Sequence, residues 1–187
     1  MKKIIGLVVG CIFLTMASGV VCAAEEAPQK VVDLAHSSLV KLGSDLTIIK
    51  AVKSENAKGK TLDQVKVLDE KWKATPGVAD YMQALIDSEC GKYLRTVQNA
   101  SPYYAEIFVM DNLGGNVCMT DKTSDYWQGD EAKFTESYKE GKGAVHISKV
   151  KFDDSTQAYV VQVSVPVVDG DEVIGAITVG VDVDKIE

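Results

Sequence analysis

Apolar residues in the first third of the chain recur at helical spacing, and those of residues 28–54 share one helix face. They are Val32, Ala35, Leu39, Leu42, Leu46 and Ile49. The three-four spacing predicts one long helix. Two interpretations of its apolar face stay open: it packs on a sheet, or it forms the seam of a homodimer.

Two further helices are predicted before residue 100. Thr61 follows the helix-breaking Gly59 and is suited to cap a helix over 62–74. Beyond the turn "ATPGVAD", a third apolar face predicts a helix over 78–97, ended by "NASP".

From residue 103 the apolar period changes from that of a helix to that of a strand. "YYAEIFVMD" and "GNVCMTD" flank the glycines of "DNLGG", which predicts a hairpin. Three more strands are predicted at "AVHISKVKF", "QAYVVQVSVPVV" and "EVIGAITVGVDV". Helices over 28–98 followed by strands over 103–184 predict a single α+β domain, residues 25–187, with a five-stranded antiparallel sheet.

The connector "TSDYWQGDEAKF" interrupts these strands and carries the candidate chemistry. Its second half predicts a short helix with Asp130 at its N-cap, a role that competes with ligand binding. An aromatic pair among polar groups is typical of a small-molecule pocket, although Trp127 is equally suited to fill the core. The predicted ligand-binding residues, with polar strand positions included, are Asp125, Tyr126, Trp127, Gln128, Asp130, Lys133, Gln162, Ser164 and Thr178.

The N-terminus has the pattern of a secretory signal peptide. Lys2 and Lys3 precede a long apolar run that ends in small residues at Ala23 and Ala24. Cleavage of residues 1–24 would release the remainder into the periplasm. An uncleaved membrane anchor is the alternative, because the run is long enough to span a bilayer.

Charge argues against a nucleic-acid partner. The formal net charge is −7, and it becomes −9 once Lys2 and Lys3 leave with the signal peptide. Phosphate binding needs clustered Lys and Arg, and the chain has one arginine, Arg95.

Cys90 and Cys118 are the two cysteines outside the predicted signal peptide. They would form a disulfide that closes a 28-residue loop, or remain as buried free thiols. No CxxC, HExxH, GxSxG or P-loop motif occurs, so we expect no enzyme activity, no metal site and no cofactor.

The segments "MDNLGGNVCMTDKTSDYWQGDE" and "SVPVVDGDEVIGAITVGVDV" resemble the periplasmic Cache (PDC-type) sensor domains, which are relatives of PAS folds. The resemblance implies a long helix behind an antiparallel sheet, with a small metabolite held on the other side under the connector. Family members usually lie between two membrane spans and feed an output module. Because this sequence stops after the last strand, it is expected to be a stand-alone domain.

The resemblance also implies partners. A stand-alone domain would present its ligand state to a membrane-bound receptor or kinase. The arginine-tryptophan pair of amino-acid-binding relatives is absent from the connector. Of an amine, an amino acid or a small carboxylate, the acidic and aromatic lining therefore favours an amine or a neutral polar molecule.

Overall fold

The computed structural model describes residues 25–154 and 156–186, and shows an antiparallel sheet covered on both faces. The helices are α1 (Gln29–Ser37), α2 (Leu46–Asn56), α3 (Leu62–Ala74), α4 (Asp80–Ile86), α5 (Glu89–Asn99) and α6 (Ala132–Tyr138), with short 3-10 segments at Leu39–Ser44 and Lys139–Gly141. The strands are β1 (Tyr104–Met110), β2 (Asn116–Met119), β3 (His146–Ile147), β4 (Lys151–Asp153), β5 (Ala158–Asp169) and β6 (Glu172–Asp182). The predicted α+β class is confirmed.

All strands belong to one sheet with the order β2-β1-β6-β5-β3, and β4 also pairs with β5. The sheet has six strands because the one predicted over "AVHISKVKF" is divided in two. Between its halves, the Ser148 hydroxyl accepts a hydrogen bond from the Gln162 backbone N–H at 2.9 Å. The serine hydroxyl thus replaces the backbone carbonyl that would accept this hydrogen bond in a continuous strand pair. The strand is interrupted at this point. The predicted count of five was wrong for this reason.

The single helix predicted over 28–54 is also wrong, because the chain breaks at residues 39–45. Gly43 approaches β5 so closely that a Cβ there would lie 2.0 Å from the Pro166 carbonyl oxygen. Asp45 then caps α2, accepting hydrogen bonds from the backbone N–H groups of Thr47 and Ile48. Leu46, part of the predicted stripe, is 80% exposed as a result.

Of the other two predicted helices, the first is confirmed and the second is divided in two. Thr61 caps α3 as predicted, in a reciprocal pair of hydrogen bonds with Gln64. The helix predicted over 78–97 is divided into α4 and α5 at Ser88, whose hydroxyl accepts a hydrogen bond from the Gly91 N–H. Because Ser88 caps a new helix, α5 begins there and does not continue α4.

The core lies on both sheet faces. Odd-numbered residues of β1, β5 and β6 pack with α1, α2 and α5; the buried ones are Ile107, Val109, Val161, Val163, Val165, Val167, Ile177, Val179 and Val181. Even-numbered residues face α3, α4, α6 and the connector, where the cluster is Val65, Trp72, Met82, Ile86, Phe108, Met110, Met119, Tyr126, Phe134 and Ala176. The second face is the one that can hold a ligand, because polar strand residues also lie there.

Cys90 of α5 and Cys118 of β2 form a disulfide, with Cα atoms 5.9 Å apart. The bond ties the helical layer to a strand at the sheet edge. Both cysteines are buried.

The predicted signal peptide, residues 1–24, lies outside the described residues. Among the helices that the structure does describe, none has the length and apolar character needed to cross a membrane.

Candidate ligand-binding site

A small cavity of about 40 Å³ lies between the sheet and the connector. It is lined by Glu106, Phe108, Thr123, Ser124, Gln128, Lys133, Asp153 and Gln162. Of the predicted ligand-binding residues, the structure thus brings together Gln128, Lys133 and Gln162.

Lys133 projects from α6 over the sheet face. Its Nζ lies 5.5 Å from the centre of the Phe108 ring, a cation–π geometry. It also donates to the Gln128 Oε1 atom at 3.0 Å and pairs with Glu131 at 3.0 Å. Gln128 in turn donates to the Asp125 carbonyl oxygen at 2.7 Å. These contacts hold the side chains over the cavity. The positive charge of Lys133 is already paired with Glu131.

Ser164 and Thr178 lie on the same sheet face, but they satisfy each other. Their hydroxyl oxygens are 2.9 Å apart, and both residues are fully buried. They are not among the residues that line the cavity.

Glu106 of β1 is the principal site residue that the pattern analysis did not select. It is 9% exposed and makes no ion pair among those found in the described part of the chain. Within the described residues, its one side-chain hydrogen bond comes from Gln162 at 3.5 Å. Gly180 on β6 gives it room, since a Cβ there would lie 2.8 Å from the Glu106 Cγ.

Burial raises the pKa of Glu106 from its ordinary value of 4.5 to about 7. The neighbouring Asp153 adds to this rise, whereas Lys133 and the Gln162 hydrogen bond oppose it. The ionised form is destabilised because few groups compensate a negative charge in this buried position. A carboxyl of this kind is typical of a functional site.

A second cavity, of about 320 Å³, also includes Glu106 in its lining. Its lining combines apolar groups near the start of β1 with charged groups at the ends of neighbouring strands: Pro102, Tyr104, Ala105, Glu106, Asp121, Lys122, Thr156, Ala158, Asp182 and Lys185. Glu106 is the residue that both cavities share.

The aromatic pair of the connector lies away from both cavities. Tyr126 is buried against Trp72, with ring centres 5.6 Å apart, and its hydroxyl accepts a hydrogen bond from Lys60. The Trp127 indole N–H donates to the Leu113 carbonyl oxygen at 2.8 Å, and Lys66 lies over its ring. Both rings thus make packing and hydrogen-bond contacts that hold the connector, and neither residue lines the two cavities.

The two predicted acids of the connector are also outside the cavities. The Asp125 carboxylate pairs with Lys73 of α3 at 3.4 Å. Asp130 does not cap α6, because the N-cap residue is Glu131 and no side-chain cap hydrogen bond forms. The prediction of a cap at Asp130 was wrong by one residue, and the cap itself is made by backbone alone.

Asp69 of α3 holds the connector in place. One of its carboxylate oxygens accepts hydrogen bonds from the backbone N–H groups of Tyr126 and Trp127, at 2.9 and 3.1 Å. The other pairs with Lys73 at 2.7 Å. Asp69 is buried, so its loss would leave two backbone donors without a partner.

We therefore expect Asp69→Ala to lower the free energy of unfolding by about 2–3 kcal/mol. Urea denaturation followed by tryptophan fluorescence measures this directly. Glu70→Ala, at the exposed neighbouring position of α3, is the matched control and should change stability by less than about 0.5 kcal/mol. Equal effects of the two substitutions would contradict this role for Asp69.

Within residues 25–154 and 156–186, no three His, Cys, Asp or Glu side chains are grouped so that they could hold a metal ion.

The helix-backed sheet with a polar cavity under its connector defines a PAS-like sensor domain. The chain belongs to the family of methyl-accepting chemotaxis protein-like, first PDC sensor domains, whose model matches residues 66–187. Domains of this family are typically extracellular or periplasmic and typically bind ligands. No curated protein shows significant sequence similarity to the chain.

Solved structures of similar fold come from bacterial sensors. The sensor domain of the V. cholerae histidine kinase DctB is 14% identical, with a TM-score of 0.46, over 84% of this chain and 52% of that one. The ligand-binding domain of the Campylobacter jejuni chemoreceptor Tlp3, in complex with 4-methylisoleucine, is 12% identical, with a TM-score of 0.43, over 84% and 60%. That of the Pseudomonas aeruginosa PAO1 amino acid chemoreceptor PctC, in complex with GABA, is 11% identical, with a TM-score of 0.39, over 75% and 58%. The chain spans little more than half of each of these solved chains.

Proposed function

We propose that this chain is a periplasmic sensor domain that binds a small molecule beside Glu106. It then presents the ligand-bound state to a membrane-bound receptor or kinase. The observation that carries this proposal is the covered sheet face where Glu106, Gln128, Lys133 and Gln162 converge on a cavity. Among the ion pairs found in the described residues none includes Glu106, so a ligand beside it can supply an interaction that the ligand-free protein lacks.

The sizes of the two cavities indicate where the ligand lies. The cavity under the connector, at about 40 Å³, has room for little more than a water molecule. Ligand pockets usually measure about 300–1,000 Å³, a range that the adjoining cavity of about 320 Å³ enters. The ligand therefore occupies the larger cavity and reaches the polar groups of the smaller one through Glu106.

The connector is the element suited to report binding. It contributes Thr123, Ser124 and Gln128 to the small cavity, and Asp69 fixes its other side to α3. A ligand that orders these side chains would stabilise the connector against the sheet. Binding would then change the outer surface of the connector, which a partner can contact.

A thermal-shift screen of the purified protein against amines, amino acids and small carboxylates tests the proposal. A ligand at 100 times its Kd stabilises by about 2.7 kcal/mol, which is a readily measured rise in Tm. Gln162→Leu should weaken binding about tenfold, because it removes the hydrogen bond that Gln162 donates to the Glu106 carboxylate beside the ligand. Gln83→Leu, at an exposed position of α4, is the control and should leave binding unchanged. A folded protein that responds to no compound of the panel would argue against a sensor function.

A further inference from the structure

Three neighbouring strands place Glu106, Gly180 and Gln162 in one row across the sheet. The register pairs Glu106 of β1 with Gly180 of β6, and Gly180 with Gln162 of β5. Paired residues point to the same sheet face, and the two outer strands of such a row lie about 9.5 Å apart. The outer side chains nevertheless meet, since Gln162 Nε2 donates to Glu106 Oε1 at 3.5 Å. They can meet over the central strand because Gly180 has no side chain between them.

The next row on this face has a side chain at its centre. Thr178 of β6 stands between Phe108 and Ser164, and its hydroxyl oxygen lies 2.9 Å from that of Ser164. The outer residues of that row therefore each meet the central one. A glycine inside a strand weakens the sheet, and it is typical of a place where another group approaches the backbone closely.

The group that approaches Gly180 is the side chain of Glu106. A Cβ at residue 180 would lie 2.8 Å from Glu106 Cγ, 3.4 Å from Oε1 and 3.6 Å from Cδ. Apart from the chain neighbours, these are the three nearest heavy atoms, so the acid lies directly over the glycine. An added methyl group would push the carboxyl away from the backbone of β6 and from Gln162. The cavity of about 320 Å³, which Glu106 lines, has room for the displaced group.

The place of Glu106 over Gly180 also determines its electrostatic surroundings. The charged groups around its carboxyl either act on its pKa or line the same cavity: Asp121, Lys122, Lys133, Asp153, Asp182 and Lys185. Burial is nevertheless the largest cause of the raised pKa of Glu106. That burial depends on the carboxyl being held against the sheet, and it would decrease if the carboxyl moved into the cavity.

We propose that Gly180 is a positioning residue of the ligand site, an inference that rests on the sensor function proposed above. Because residue 180 has no side chain, Glu106 lies across β6 against Gln162 and contributes to the lining of both cavities. A ligand in the larger cavity then meets the carboxyl at a fixed place. A larger residue at position 180 would move the acid from this place and lower the affinity for the ligand, although the fold is kept.

A double-mutant cycle tests whether the glycine makes room for Glu106. Gly180→Ala should lower the urea midpoint of the wild-type protein at pH 5, where Glu106 keeps its proton in the folded state. In a Glu106→Ala background, the atoms that would crowd the new methyl group are absent. The same substitution should there leave the midpoint unchanged or raise it, because alanine loses less conformational freedom on folding than glycine. An equal fall in both backgrounds would overturn the proposal.

The pH profile separates positioning from packing alone. Between pH 5 and pH 8, the stability gained by Glu106→Gln should grow in the wild-type background, because the buried carboxyl ionises unfavourably. In the Gly180→Ala background this growth should be roughly half or less, since a displaced carboxyl is less buried. Val179→Ala, whose side chain packs on the other sheet face, is the matched control and should keep the full growth. Full growth in the Gly180→Ala background as well would contradict the positioning role.

Binding is measured by isothermal titration calorimetry with three probes that share one hydrocarbon part: n-butylamine, norvaline and valerate. A probe that binds the wild-type protein should bind Gly180→Ala about tenfold more weakly, because a polar contact with Glu106 is lost. Its affinity for Val179→Ala should be unchanged. Equal affinity for wild type and Gly180→Ala would overturn the proposal and leave the sensor function standing. If neither these probes nor the broader thermal-shift panel binds, the sensor function fails, and the two unfolding experiments still decide whether Gly180 positions Glu106.

Discussion

Glu106→Gln should stabilise the ligand-free protein by on the order of 3 kcal/mol above pH 7. Burial and the nearby Asp153 raise the pKa of this carboxyl from 4.5 to about 7. Between these two values the unfolded chain ionises at Glu106 while the folded protein keeps its proton. The folded state binds more protons in this window, so the contribution of Glu106 to stability falls as the pH rises through it. A glutamine keeps the shape and the hydrogen bonding of the protonated acid, and it does not ionise.

Urea denaturation of both proteins from pH 4.5 to pH 8 measures the effect. The difference in the free energy of unfolding should be small near pH 4.5 and grow to its full size above pH 7, where it corresponds to a rise in Tm of roughly 6–12 °C. Glu70→Gln, at an exposed position of α3, is the control and should show no such growth. A stability difference that is the same at pH 5 and pH 8 would show that Glu106 ionises normally in the folded protein.

The second large effect is expected from loss of the disulfide. The bond between Cys90 and Cys118 closes a loop of 28 residues, so its removal should lower the free energy of unfolding by about 3–4 kcal/mol. The cause is the greater conformational freedom of the unfolded chain once the cross-link is gone. Alanine is the suitable replacement, because both cysteines are buried and a serine would bury a hydroxyl group.

The double variant Cys90→Ala/Cys118→Ala should be compared with wild type under non-reducing conditions. The wild-type protein with added reductant provides the matched comparison, since it loses the cross-link without any change in side-chain volume apart from the thiol hydrogens. Its midpoint should shift in the same direction as that of the double variant. A wild-type midpoint that does not respond to reductant would contradict a stabilising disulfide.

Part of the candidate site was accessible from the sequence. Gln128 and Lys133 lie in a polar connector, and Gln162 alternates with valines on a strand, so the pattern selected all three. Glu106 could also have been selected, because alternation along β1 puts it on the same face as Phe108 and Met110. A charged residue on the face of two large apolar side chains is unusual, and reading the alternation of β1 residue by residue would have selected it.

The roles of Tyr126 and Trp127 were not accessible in this way. An aromatic side chain near a sheet serves equally well as a pocket wall or as packing. The difference here depends on Trp72 and Asp69, which lie more than fifty residues earlier and meet the connector only in the folded chain. The same reason explains Ser164 and Thr178, whose polar atoms pair across two strands.

The sequence by itself determined the α+β class, the hairpin, the positions of the long strands along the chain and the cap of α3 at Thr61. These features follow from local periodicity, turn residues and capping, which act over a few positions. Only the tertiary structure decided the breaks near Gly43 and Ser88, the division between β3 and β4, and the buried carboxyl at Glu106. Each of these depends on a close approach between distant segments, such as Gly43 on Pro166 or Gly180 beside Glu106, and local sequence preferences do not encode such contacts.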